Sequence, residues 1–373
     1  MSAHDPATTS NQPAELTYRS LPILIGYLVL CAGLALNACR VIYSRYQERQ
    51  KSNDWGSPHR RGHFFVFAVL APLCLGVTWF HMIAFFVHSY RNWEQTRYLV
   101  EYTGVELPSL VKLELWLQKT KLFEEAWATV VETSPRLWWS GQIFWWCTGW
   151  SVLLGVLARR YRIPHIWTYM LLGQLVAISF AAILVFATVL VSQPSWSKQS
   201  KGKKSNEDDG QALFAWCPPV YAEVLPVAIS LLGAVFVPSV VHSKHFMPIL
   251  LIPHLLLFIP ATLHPSRSSG NTKPQVQGQV EADRTTRRYI VFFQWIIAAC
   301  IVLHAQWTYV MLQDSGAGFQ AISYISVARD LPGVIYEHPA QSSVSWDVIF
   351  CTITSLAWTL VHGGSPSRML GGQ

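Results

Sequence analysis

Eight stretches of this chain stay apolar on every side for ~20 residues, the length a helix needs to cross the hydrocarbon core of a bilayer. They run about 21–43, 64–88, 137–158, 164–191, 219–241, 246–265, 288–312 and 344–362. Inside lipid a backbone must satisfy its own hydrogen bonds, which makes the helix the natural structure for such segments. Only 13% of the 373 residues are charged, against roughly 25% in soluble domains, so water is not the main solvent. The expected fold is an all-α integral membrane protein, a bundle of about eight transmembrane helices with one interfacial amphipathic helix. A polar tail, 1–20, precedes the transmembrane helical domain, 21–362, and a C-terminal tail, 363–373, follows it. The first 20 residues include Asp5 and Glu15 and lack the basic start and cleavage site of a signal peptide, so the first apolar run reads as a retained helix.

Proline punctuates these segments. Pro22, Pro164 and Pro219 sit near starts, where a missing N–H costs little, while Pro72, Pro226, Pro253 and Pro260 lie inside and are expected to kink their helices. The stretch 107–132 sets Leu110, Leu113, Trp116, Leu117, Phe123, Trp127, Val130 and Val131 on one face, with Lys112, Glu114, Lys119, Lys121, Glu125 and Glu132 mostly opposite. That pattern predicts a helix lying in the headgroup plane, either a lid over a lipidic substrate or a plain cap on the bundle. The stretches 193–213 and 266–286 read as solvated linkers.

Lys plus Arg total 28 and Asp plus Glu 21, a net charge of +7. The basic residues cluster at helix ends, Arg45, Arg49, Lys51, Arg60 and Arg61, then Arg159, Arg160 and Arg162. There they meet lipid headgroups, so membrane lipids rather than nucleic acid are the expected partner. These clusters argue for an N-terminus outside the cytosol; with eight crossings, however, Lys198, Lys201, Lys203 and Lys204 would fall outside too, against the positive-inside rule. Cys31, Cys39, Cys74, Cys147, Cys300 and Cys351 lie in apolar segments and Cys217 near a boundary, without disulfide or metal spacing.

Ionisable residues inside a bilayer are costly and mark functional sites. Asp347, in the last span, is the first candidate proton donor, with Glu94, after the second span, and Glu223, at the start of the fifth, as further candidates. Each has a plainer reading as a helix-end carboxylate paired with Arg or facing water. Of 17 Trp residues, those at span ends form aromatic belts. Trp145, Trp146, Trp150 and Trp295 lie deeper, where ring faces could hold a carbocation in a pocket or simply pack a bundle. His81, His254 and His304 are intramembrane as well; haem ligation is the sharp reading, and hydrogen-bonded core histidines near Gln142, Gln174, Gln294 and Gln306 the plain one. His304 is grouped with the deep tryptophans as a pocket residue. The one Asp–Asp pair, Asp208–Asp209, lacks the spacing of a diphosphate–magnesium motif, and GxGxxG, P-loop, GxSxG and HExxH motifs are absent.

With these residues in view, the chain resembles the membrane-bound terpene cyclases of fungal meroterpenoid pathways, the ascofuranone cyclase type. The likeness rests on length, on about eight spans, on WEQTRYLVEYTGVELP after the second span, on the Trp-rich RLWWSGQIFWWCTGW, and on SVSWD at the start of the last span. It implies a metal-independent, cofactor-free isomerase that protonates a terminal epoxide or olefin of a prenylated, usually farnesyl, aryl compound and cyclises the tail. It also implies a hydrophobic prenylated substrate, neighbouring membrane-bound pathway enzymes as partners, and the endoplasmic reticulum as the site. The chemistry of the residues then gives Asp347 the proton-donor role and Trp145, Trp146 and Trp150 the pocket. A transporter or binding protein would use the same intramembrane carboxylates, though a path for polar solutes calls for more polar lining than this sequence offers.

Overall fold

The computed structural model describes residues 19–52, 55, 59–98, 107–192, 215–264, 275–316 and 329–372, and among them it is all-helical. Among the described residues, six helices are long and apolar enough to cross a membrane: Ser20–Ser52, Arg60–Tyr98, Ser134–Tyr161, Val220–Val240, Val280–Asp314 and Pro339–Val361. We number the helices α1 (Ser20–Ser52), α2 (Arg60–Trp93), α3 (Ser109–Lys119), α4 (Leu122–Val131), α5 (Ser134–Ser140), α6 (Gln142–Tyr161), α7 (Ile166–Leu175), α8 (Ile178–Val191), α9 (Val220–Phe236), α10 (Phe246–Leu256), α11 (Phe258–Thr262), α12 (Gln275–Asp314), α13 (Pro339–Val361) and α14 (Pro366–Met369).

Two of the eight expected segments are broken. In 246–265, Pro253 lies inside α10, and a short α11 carrying Pro260 follows it, because proline removes a ladder donor. In 164–191 the chain runs as α7, turns at Val176–Ala177, and returns as α8, antiparallel to α7. Three observations fix that path. Tyr169 and Thr188 meet hydroxyl to hydroxyl at 3.3 Å between the two limbs. Arg45 donates to the Tyr161 and Arg162 carbonyls, at 3.3 and 2.7 Å, where α7 is about to begin, and also to the Ser192 hydroxyl, where α8 has just ended. Arg49 and Arg60 add bonds to the Val191 and Ser192 carbonyls. Both ends of the hairpin are thus tied to one end of the bundle, and its tip is tied to α1 farther along by Tyr27 OH donating to the Leu175 carbonyl at 2.6 Å. At ~1.5 Å per residue, the 14 residues of α8 extend about 21 Å, short of a ~30 Å hydrocarbon core.

Helix α8 is buried along its whole length and packs against α1, α2, α6, α7 and α13. A helix apolar all round is what such an axial position demands. Phe186 on α8 stacks on Trp358 of α13 with ring centroids 4.1 Å apart, and Phe67 of α2 meets both edge-on. The outer wall is different: on α12, Trp295 is 71% exposed and Ile301 and Val302 also face outward.

The expected interfacial helix over 107–132 is two helices, α3 and α4, because Thr120 is extended (φ −116°, ψ 148°). Glu114, placed by the sequence pattern on the polar face, is fully buried. It accepts the Ser20 and Leu21 N–H groups, each at 2.9 Å, so it caps the start of α1 from another helix. Burial works against the charge of this carboxyl, but the bonds from Gln118, Ser20 and Leu21 outweigh it and hold the group below its usual range. Of the two expected linkers, 193–213 lies outside the described residues, as do 265–274. The remainder of 266–286 is the beginning of α12, where Gln, Glu, Ala and Arg are good helix formers.

Candidate functional site

The tip of the α7–α8 hairpin leaves a problem of hydrogen bonding. Ala177 precedes α8 in extended conformation (φ −171°, ψ 137°) and has no side chain that could cap the exposed N–H groups of the first turn. Asp347, two turns into α13, supplies the acceptor. Its Oδ2 accepts the Ile178 N–H at 3.1 Å; its Oδ1 accepts the Ser179 N–H at 2.9 Å and the Ser179 hydroxyl at 2.5 Å. The carboxyl therefore sits on the positive end of a half-helix dipole. Oδ1 is saturated, while Oδ2 has one donor and a free position.

Asp347 also lines an apolar cavity of about 570 Å³, within the ~300–1,000 Å³ typical of small-molecule sites. The walls come from α1 (Ile23, Tyr27), α2 (Thr78, Phe85, Phe86), α4 (Phe123, Trp127), the hairpin tip and α13. Ile23 of α1 and Phe123 of α4 line the cavity and are 71% and 52% exposed, so the cavity is open at these two residues. Besides Asp347, the mostly apolar wall carries the polar side chains of Tyr27, Thr78, Gln174, His254 and Ser343; Gln174 donates to the Cys147 thiol at 3.0 Å, and behind Asp347 the Cys74 thiol contacts the Ser179 hydroxyl at 2.9 Å.

The other sequence-derived candidates lie elsewhere. Glu94, in the π-helical turn after α2, pairs with Lys112 at 3.5 Å and is partly solvent-accessible. Glu223 is 1% exposed and accepts the Tyr289 hydroxyl at 2.8 Å, with Arg288 at 3.4 Å and Arg159 at 3.9 Å. Neither lines the cavity. Trp145 stacks on Trp307, and the His304 ring packs between Trp138 and Trp145. Trp146 packs against the core, Trp150 lies behind Gly173, where a Cβ would come 3.4 Å from its Nε1, and Trp295 faces outward. None of these five lines the cavity.

Trp127 and His254 do line it. Their sequence signals were weak, an apolar-face position on α4 for one and an intramembrane histidine for the other. His254 has Trp127 and Phe144 as ring neighbours, His304 has Trp138 and Trp145, and His81 has Phe80 and Tyr336. Among the described residues, no three His, Cys, Asp or Glu side chains come together as a metal-ligand set. The chain matches no family model, no curated relative and no solved structure.

Proposed function

We propose that the chain is a membrane-bound terpene cyclase that takes a terminally epoxidised or olefinic farnesyl-aryl compound from the bilayer and closes its tail into a ring by acid initiation. One observation carries the reading: among the described residues one carboxyl, Asp347, stands on the wall of an apolar, aromatic-edged cavity with its conjugate base already provided with three donors. When the Asp347 proton passes to an epoxide oxygen, the C–O bond breaks as an internal alkene or hydroxyl attacks. The Ile178 and Ser179 donors then stabilise the carboxylate left behind. Phe85, Phe86 and Trp127 line the cavity with rings that would stabilise the developing cation, and the opening at Ile23 and Phe123 suits a substrate that enters from lipid.

A transporter reading has one observation in its favour, since a broken helix with its N-terminus at mid-bundle is how many transporters bind anions. Here that terminus is already occupied by the protein's own carboxyl group, whose oxygens take the Ile178 and Ser179 donors and leave no open positive end for a solute. The discriminating experiment is chemical. Microsomes from yeast expressing the chain, fed the epoxidised farnesyl-aryl compound, are expected to yield an isomer of unchanged mass. No isomer from a panel of epoxide and olefin substrates, with expression confirmed, would favour transport or binding.

The topology belongs to the same reading: α1, α2, α5–α6, α9, α10–α11, α12 and α13 cross the bilayer, and α7–α8 is a re-entrant hairpin. Arg45, Arg49 and Arg60 then share one face with Arg159, Arg160, Arg162 and Arg288. Ser192 and Ala215, which flank the segment carrying Lys198 to Lys204, lie at that face too. The conflict with the positive-inside rule disappears once that face is cytosolic. Accordingly, a glycosylation acceptor placed ahead of Ser20 should be modified in the endoplasmic reticulum, and one placed after Met369 should not; the reverse pattern would invert the assignment.

A further inference from the structure

An acid-initiated cyclisation has to end by losing a proton, and the Asp347 carboxylate, once formed, is held by three donors that make it a poor acceptor for that proton. We propose that His254 is the terminating base, an inference that rests on the cyclase reading above. His254 is on α10, inside the turn that Pro253 distorts, and its ring lines the same cavity as Asp347. Its Nδ1 lies 2.6 Å from the Leu250 carbonyl oxygen. A carbonyl only accepts, so the hydrogen is on Nδ1, and in the neutral ring Nε2 is left as a bare lone pair. Trp127 and Phe144 meet the imidazole edge to face, with centroids 5.9 and 6.4 Å away. The base therefore stands beside Trp127, one of the rings assigned to the cation.

The proton count closes. Asp347 gives one proton to the substrate oxygen; a C–O bond breaks and the ring bond forms. The last intermediate then loses one proton to His254 Nε2, either from the attacking hydroxyl or from the carbon next to the cationic centre. Mass is unchanged, and the two side chains return to their starting states by proton exchange with water between turnovers.

The test uses the full chain in microsomes with the epoxidised farnesyl-aryl probe, comparing wild type, His254→Phe and His254→Gln. Phe keeps the aromatic volume without a base, and Gln keeps a polar side chain in case Phe does not fold. The expected result is a fall in formation of the wild-type product of about 10²-fold or more, with consumed substrate diverted to water-quenched alcohols or misplaced olefins. A role in packing alone would change the amount of folded protein but not the product ratio. If wild type cyclises and both folded variants give the same product at the wild-type rate, His254 is not the base and the cyclase reading stands. If wild type itself forms no isomer, that reading and this one fall together.

Discussion

Asp347→Asn is expected to insert and fold but to lose cyclisation by about 10²- to 10⁴-fold, the range a positioned general acid contributes. The substitution is informative because Asp347 has two jobs. As an acceptor it holds the hairpin tip through Ile178 and Ser179; as an acid it would protonate substrate. Asn keeps the shape and one acceptor oxygen, which can take both Ser179 bonds, but it sets an amide N–H against the Ile178 N–H. Leaving that one donor unmatched costs about 1–3 kcal/mol, enough to lower stability without unfolding the bundle. Ser179→Ala separates the two jobs further, since it removes the hydroxyl donor at 2.5 Å, together with its contact to the Cys74 thiol, and keeps both backbone donors. It should leave the hairpin formed and slow turnover by about tenfold, the worth of one such hydrogen bond. Turnover at the wild-type rate in Asp347→Asn would leave the carboxyl as a helix cap and nothing more. Turnover would be measured per folded protein, quantified by fluorescence-detected size exclusion of the solubilised protein.

What the sequence made legible, and what it hid, follow from the same physics. Asp347 stood out because a carboxyl in an apolar run is costly wherever it points. The hairpin did not stand out, because hydropathy measures how apolar a segment is and not whether it goes through or turns back. The turn at Val176–Ala177 has neither proline nor glycine at the break; its stabilising acceptor is Asp347, 169 positions from Ile178. The deep tryptophans lie away from this cavity, which the sequence hid for a related reason. On a helix apolar all round, periodicity does not say which side meets a cavity, so Trp150 turned out to pack behind Gly173 and Trp295 to face outward. The cavity's tryptophan, Trp127, was on the apolar face read for the stretch 107–132, but the break at Thr120 that creates a separate α4 had no sequence signal beyond one β-branched residue. Glu114 shows the reverse error, since a charged residue read as solvated was needed inside to cap α1.

Glu223 should behave in the opposite way to Asp347: its loss should unfold the protein rather than silence it. The carboxylate joins three helices, from its place in the first turn of α9 to Arg159 at the end of α6 and to Arg288 and Tyr289 on α12. Arg159 also donates to the Tyr289 hydroxyl at 2.8 Å and the Leu263 carbonyl at 3.1 Å, and its guanidinium lies over the Trp216 ring. With side chains only 2–3% exposed, neither partner has water to fall back on. Glu223→Leu would leave the Arg159 charge uncompensated, a change that costs about 3–5 kcal/mol in buried pairs. The expected result is a large loss of monodisperse protein on heating, with normal turnover in whatever fraction remains folded. Adding Arg159→Met to Glu223→Leu should recover part of the loss, because an apolar pair of similar volume is tolerated where a lone charge is not. Glu223→Gln discriminates most sharply, since it keeps an acceptor for Tyr289. If that variant is as stable as wild type yet inactive, Glu223 rather than Asp347 is the acid, and the cavity beside Asp347 is not where the reaction takes place.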